Sequence, residues 1–155
     1  MNTIYMWETE SNQPQETERI AEKLAANLRG GEVIELISDL GGGKTTFVRG
    51  LARGLGAPDH VSSPTFKLSN VYSAPKVTLH HFDFYRLNEP GIMANELAEV
   101  MTDPAVITVL EWADTVQNIL PDERLAITLL YTGADARHIT IAYPGSLKYV
   151  TEGLL

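Results

Sequence analysis

The stretch from Glu32 to Gly56 constrains this chain more than any other. Val33, Ile34, Leu36 and Ile37 read as a short strand buried on both faces. Phe47, Leu51 and Leu55 recur every four residues with Val48 and Ala52 beside them, which is the apolar stripe of an amphipathic helix. Gly56, with Pro58 beyond it, stops that helix. Between strand and helix lies Ser38-Asp39-Leu40-Gly41-Gly42-Gly43-Lys44-Thr45-Thr46. A strand, a glycine-rich turn and a helix opening on Lys-Thr have the layout of a phosphate-binding loop.

The residue types suit that chemistry. Backbone N–H groups at a helix N-terminus carry partial positive charge and attract phosphate oxygens. Glycines at 41, 42 and 43 let the backbone curl into an anion nest without Cβ clashes. Leu40, Gly41, Gly42, Gly43, Lys44, Thr45 and Thr46 are therefore the candidate nucleotide-binding loop, with Lys44 reaching the β- and γ-phosphates and the Thr45 hydroxyl a ligand for Mg²⁺. The full pattern, Gly-x-x-x-x-Gly-Lys-[Ser/Thr], places glycine where this chain has Ser38. If that position needs positive φ, the loop is strained.

Length and composition bound the rest. A chain of 155 residues, 44% apolar and 21% charged, suits one globular domain with a real core. No apolar run reaches membrane-spanning length, and no basic segment precedes an apolar one at the N-terminus. The absence of cysteine excludes disulfides and thiolate metal sites and agrees with a cytoplasmic address. A net charge of −8 argues against independent, tight nucleic-acid binding.

Further along the chain, Thr3 to Trp7 reads as a first strand. Ser11-Asn12-Gln13-Pro14 reads as a helix start, leading through Ile20, Leu24 and Leu28 to a stop at Gly30-Gly31. That helix reads as a packing element; residues 11–17, which lead into the loop strand, are the alternative place for a nucleotide base. Ser63-Pro64-Thr65-Phe66 reads as an extended connection, and in a phosphate-loop protein Thr65 is placed to meet the γ-phosphate. Phe66–Tyr72 and Val77–Arg86 read as strands joined by a hairpin over Ser73–Lys76. In the second, alternation puts His81, Asp83 and Tyr85 on one face and Phe82 and Phe84 on the other. Asp83 among aromatics needs a partner or a cation, which makes it a candidate catalytic residue against the plainer reading of a pair with Arg86. Adjacent His80 and His81 face opposite ways and cannot form a zinc site.

Residues 91–101 carry a short helical pattern. Ala105–Leu110 is a second buried strand ending in Glu111-Trp112, an apolar strand with a carboxylate at its C-terminal end, as in a Walker B element. Ligands of open α/β sheets sit off those ends, so Glu111 is a second catalytic and Mg²⁺-binding candidate, while Trp112 reads as a packing residue. Asp114–Leu120 reads as a brief helix, and Arg124–Tyr131 and Arg137–Tyr143 as a hairpin. A strand-start Arg137 suggests a surface ion pair before a nucleotide contact, and the tail from Pro144 is expected to fray. The architecture expected is one three-layer α/β domain over residues 1–155, a mostly parallel central sheet with antiparallel edge strands and flanking helices.

Taken in order, Ser-Asp-Leu-Gly-Gly-Gly-Lys-Thr-Thr, Ser-Pro-Thr-Phe, His-Phe-Asp-Phe-Tyr-Arg-Leu and Leu-Glu-Trp-Ala resemble the TsaE (formerly YjeE) family of small bacterial P-loop ATPases, over about residues 15–143. Lys44, Thr45, Asp83, Glu111 and Trp112 match that pattern and Ser38 departs from it. The resemblance implies an ATPase using Mg²⁺, slow alone, that works with TsaD and TsaB in making threonylcarbamoyladenosine at adenosine 37 of tRNA and meets tRNA only indirectly. It implies that Lys44, Asp83 and Glu111 serve hydrolysis, with Thr45 and Glu111 on the metal and Thr65, Asp83 and Trp112 at the nucleotide. A small-molecule kinase and a nucleotide-binding adapter without turnover are the alternatives. The first lacks a lid-like insertion here, and the second would bind ATP without hydrolysing it even with its partners present.

Overall fold

The computed structural model describes residues 3–39, 43–57, 61, 69–85 and 91–154. In chain order it contains β1 (Ile4–Ser11), α1 (Pro14–Asn27), β2 (Val33–Ile37), α2 (Lys44–Leu55), β3 (Ser69–Ser73), β4 (Thr78–Asp83), α3 (Ile92–Val100) and β5 (Val106–Glu111). A 3₁₀ helix over Ala113–Ile119, β6 (Leu125–Tyr131), β7 (Arg137–Pro144) and a 3₁₀ helix over Gly145–Thr151 complete it. The strands form a seven-stranded sheet in the order β1-β7-β6-β2-β5-β4-β3. β6, β2, β5 and β4 run parallel, while β1, β7 and β3 pair antiparallel at the two sides.

Alternation along the strands divides the interior into two cores. On one face Ile34, Leu36, Ile107, Val109, Ile127 and Ile139 meet Ala21 and Leu24 of α1 and Phe47, Val48 and Leu51 of α2. On the other, Phe82, Phe84 and Leu110 meet Leu97 of α3 and Ala113, Val116 and Leu120 around the 3₁₀ helix. Helices on both faces of a largely parallel sheet make the three-layer α/β fold expected from the sequence.

The two helices of the larger core approach very closely. A Cβ on Gly50 would stand 2.4 Å from the Glu18 carbonyl oxygen, and one on Gly54 2.6 Å from that of Glu22. With Ala21 and Ala25 opposite, these glycines let backbone meet backbone.

The ends of α1 and the tail differ from expectation. Ser11 is the last residue of β1 and its hydroxyl bonds Thr17 Oγ1 at 2.7 Å, so Gln13 occupies the N-cap; the helix ends at Asn27 because Leu28 is already extended. The tail does not fray. Leu147, Val150 and Leu154 are buried in the larger core, and Asn27 donates to the carbonyls of Val150 (3.0 Å) and Glu152 (2.7 Å). Tyr149 donates to Glu32 at 2.6 Å, and burial together with that carboxylate pushes its phenol well above the ordinary range.

Candidate functional site

β2 leads to the N-terminus of α2, whose axis starts beside the C-terminal ends of β5 and β4. Gly43 is the N-cap, at φ +100° in the left-handed region that glycine enters without cost, and no side chain caps the helix. Lys44, Thr45 and Thr46 therefore occupy the first three helical positions, where backbone N–H groups lack intrahelical acceptors. The first turn holds no acidic residue. This is a helix end suited to an anion.

Lys44 is buried, and its ammonium accounts for the rest of the site. Nζ lies 3.6 Å from Glu111 Oε1, donates to the Ser38 carbonyl at 3.3 Å and sits 4.2 Å from the centre of the Trp112 ring. Ser38 is not among the residues at positive φ, so serine is accommodated there without the strain that a left-handed turn would impose.

Parallel pairing of β4 with β5 sets Asp83 directly against Glu111. Both are buried, and both project to the face that carries α2. The Phe84 amide bonds the Glu111 carbonyl at 3.0 Å, and Asp83 Oδ1 accepts the Tyr85 amide at 2.9 Å, which fixes its carboxylate at the strand end. His81, fully buried on the same face, bonds Glu111 Oε2 through Nε2. Glu111 thus bridges a lysine and a histidine, one oxygen to each. An ionised carboxylate only accepts, so Nε2 carries the proton, and Nδ1 is left without a hydrogen-bond partner among the described residues.

Trp112 follows at φ +55°, the one non-glycine residue at positive φ among those described. That conformation costs on the order of 1–3 kcal/mol and turns the indole over Lys44, with Tyr85 packed on it at 4.9 Å. Trp112, read from sequence as a packing residue, instead roofs the lysine.

Lys44, Asp83, Glu111 and Trp112 are therefore gathered at one corner, with Thr45 on the adjoining turn. Leu40, Gly41, Gly42 and Thr65 lie outside the described residues, as does Arg86. The sequence reading did not single out His81 as a partner of Glu111. The available signal was its parity with Asp83, two residues on along the same strand. Hard oxygens from Thr45 and Glu111 are the donors that Mg²⁺ takes, and no cluster of three or more His, Cys, Asp or Glu among the described residues offers an all-protein cage. The donor set fits an ion held partly by phosphate oxygens and water.

Known proteins resemble this chain over most of its length. The family profile described as "Threonylcarbamoyl adenosine biosynthesis protein TsaE" matches residues 11–139. The Bacillus subtilis tRNA threonylcarbamoyladenosine biosynthesis protein TsaE is 40% identical over 133 residues, covering 86% of this chain and 83% of the relative. The Treponema pallidum protein of the same name is 36% identical over 132 residues, 85% of this chain and 97% of its own length. The crystal structure of Bacillus subtilis YdiB superposes with a TM-score of 0.77 at 33% identity, covering 99% of this chain and 95% of that one. With the profile spanning well over half of its length, this chain belongs to the TsaE family.

Proposed function

We propose that this protein is the Mg²⁺-dependent, ATP-binding and ATP-hydrolysing subunit of the machinery that makes N6-threonylcarbamoyladenosine at position 37 of tRNA, acting in the cytoplasm with TsaD and TsaB. The relatives' names supply the process. The observation that carries the chemistry is the buried Lys44 at the first turn of α2, held by a carboxylate at the end of β5.

The residues divide the work by position. The amides of the loop and Lys44 hold the phosphate chain, and the ammonium is effective because burial removes competing water. Asp83, fixed by the Tyr85 amide, orients the attacking water. Thr45 and Glu111 are the residues that would hold Mg²⁺, which when bound neutralises charge on the phosphate oxygens. His81 keeps the Glu111 carboxylate in register through one oxygen. Thr65 would sense the γ-phosphate, and Trp112 covers Lys44. An acidic subunit can drive a tRNA-modifying machine without gripping tRNA itself.

The test is phosphate release from ATP by the purified chain, alone and with TsaD and TsaB, beside Asp83→Ala. Stimulation by the partners that disappears in Asp83→Ala is the expected result. Binding without turnover in every mixture would replace the ATPase with an adapter, and transfer of phosphate to a metabolite would replace it with a kinase.

A further inference from the structure

We infer that His81 sets the metal selectivity of this site, by tying up one oxygen of Glu111 so that the carboxylate offers a divalent cation the other alone. This rests on the reading that Glu111 would hold Mg²⁺ beside a bound triphosphate. The sheet supplies the geometry. β4 and β5 run parallel with His81 opposite Val109, one step before the Asp83–Glu111 pair on the same face. From there the imidazole reaches forward along the sheet, and Nε2 donates to Glu111 Oε2. Lys44 comes from the first position of α2, and its Nζ stands 3.6 Å from Oε1.

The two oxygens differ in how readily they are released. Lys44 has a flexible stem, and its ammonium also meets the Ser38 carbonyl at 3.3 Å, so phosphate oxygens can draw it off Oε1. His81 is 0% exposed, and a close-packed ring keeps its place. Oε2 therefore stays engaged when Oε1 is given up.

Packing alone gives no reason for an imidazole here. Nδ1 is buried without a hydrogen-bond partner among the described residues, a cost that leucine would not carry. Leu79, two residues earlier on the same face, fills its place in the larger core with no polar atom at all. What the histidine adds is the bond to Glu111.

That bond has a chemical consequence. Ca²⁺ takes a carboxylate through one oxygen or both, in a large and adaptable shell, whereas Mg²⁺ takes near-octahedral geometry with few protein ligands and several waters. A Glu111 whose Oε2 is held by His81 suits the second ion and denies the first a two-oxygen grip. His81 is thus a positioning residue, acting through Glu111 rather than on the nucleotide.

Calorimetric titration of the full chain with ATP in Mg²⁺, in Ca²⁺ and in EDTA tests this by binding rather than turnover. The wild type should bind ATP more tightly with Mg²⁺ than with Ca²⁺, and least with EDTA. His81→Leu should lower the ratio of Mg²⁺-supported to Ca²⁺-supported affinity by about tenfold or more, the scale on which the partner of a metal ligand acts. His81→Gln, whose side-chain amide can donate to the same oxygen, should keep most of the ratio. A packing defect would weaken binding with both ions alike and leave the ratio where it was. His81→Met serves if the leucine variant does not fold. An unchanged ratio in a folded apolar variant, or an equal fall in His81→Gln, overturns the inference. If the wild type binds ATP as well in EDTA as in Mg²⁺, the reading of Glu111 as a metal residue fails and takes the inference with it. If the wild type needs Mg²⁺ while the apolar variants keep its ratio, only the role of His81 fails.

Discussion

Gly43 and Gly50 lie in one stretch of chain, at the mouth and in the middle of α2, and they are glycine for unrelated reasons. Gly43 needs its left-handed φ to turn the loop into the helix, and the residues after it are held in costly states. Lys44 and Glu111 are a charged pair out of water, and Trp112 sits in a conformation that tryptophan disfavours. Gly50 needs only the space that α1 fills, in a close-packed seam whose inner side is the larger apolar core. One helix therefore carries a first turn of charged and strained neighbours that cost stability and later turns that supply it.

That contrast predicts a clean separation of effects. The largest belongs to Lys44→Ala. Removing the ammonium should lower partner-stimulated hydrolysis by on the order of a hundredfold or more per folded molecule, as loss of a charge-stabilising group in a dry site does. It should also lower the denaturation midpoint, because Glu111 is left buried beside His81 alone. Steady-state phosphate release, normalised to folded protein, measures the first effect. Activity near that of the wild type would remove the first turn from the chemistry.

The converse is Gly50→Ala. An added Cβ meets the Glu18 carbonyl at 2.4 Å and Ala21 Cβ at 2.6 Å, so the helices must part. Overpacking of this kind costs about 1–3 kcal/mol and outweighs the better helix propensity of alanine. Urea denaturation should show the loss while hydrolysis per folded molecule stays unchanged. An unchanged midpoint would mean that the seam yields more easily than its geometry implies.

These two regions were not equally legible. The strand before the loop and the helix after it followed from local periodicity, and so did the carboxylate at the end of β5. The carboxylates at the strand ends were visible because one chain segment carries each signal. The partnership of His81 with Glu111 was not, because it depends on β4 lying beside β5, and a residue-by-residue pattern does not state which strands are neighbours. The pairing of Glu35 on β2 with Arg124 at the start of the neighbouring β6, at 3.1 Å, was hidden for the same reason. The small residues at 50 and 54 were open to view, but without α1 opposite they read only as weak helix formers. The tail was misjudged because its apolar residues are too few to form a core alone; they bury themselves in one already built.

Trp112→Asn sharpens the account of the first turn. Asparagine tolerates the left-handed region better than tryptophan, so strain is relieved while the ring over Lys44 is lost. Stability should move by no more than about 1 kcal/mol, with relief and lost packing opposing each other. ATP affinity should fall several-fold, the scale of one partly buried cation–π contact. Paired calorimetric and denaturation measurements on the same preparation read both. A loss of several kcal/mol in stability without a change in affinity would make Trp112 a packing residue after all.

The smallest effect concerns two histidines outside the first turn, and it has opposite signs. Burial holds His80 below its ordinary value of 6.5, with Glu96 at 3.7 Å pulling it up and His81 pushing it further down. As pH falls through about 6.5 the unfolded chain takes up that proton first, so His80 lowers stability in acid. His138 runs the other way. Its hydrogen bonds to Glu10 and Glu8 raise it, so the stabilisation is complete below 6.5 and fades as pH rises through the raised value. In the wild type the two slopes have opposite signs in adjoining ranges, that of His138 above about 6.5 and that of His80 below it. His80→Gln should abolish the loss of stability below about 6.5 and keep the gain on the way down to it, and His138→Gln should abolish that gain and keep the loss below about 6.5. Neither ring touches Lys44 or Glu111, so the pH profile of ATP binding should keep its shape in both variants. Denaturation midpoints measured at several pH values decide the signs, and slopes of the same sign in the two variants would show that one of the two environments has been misread.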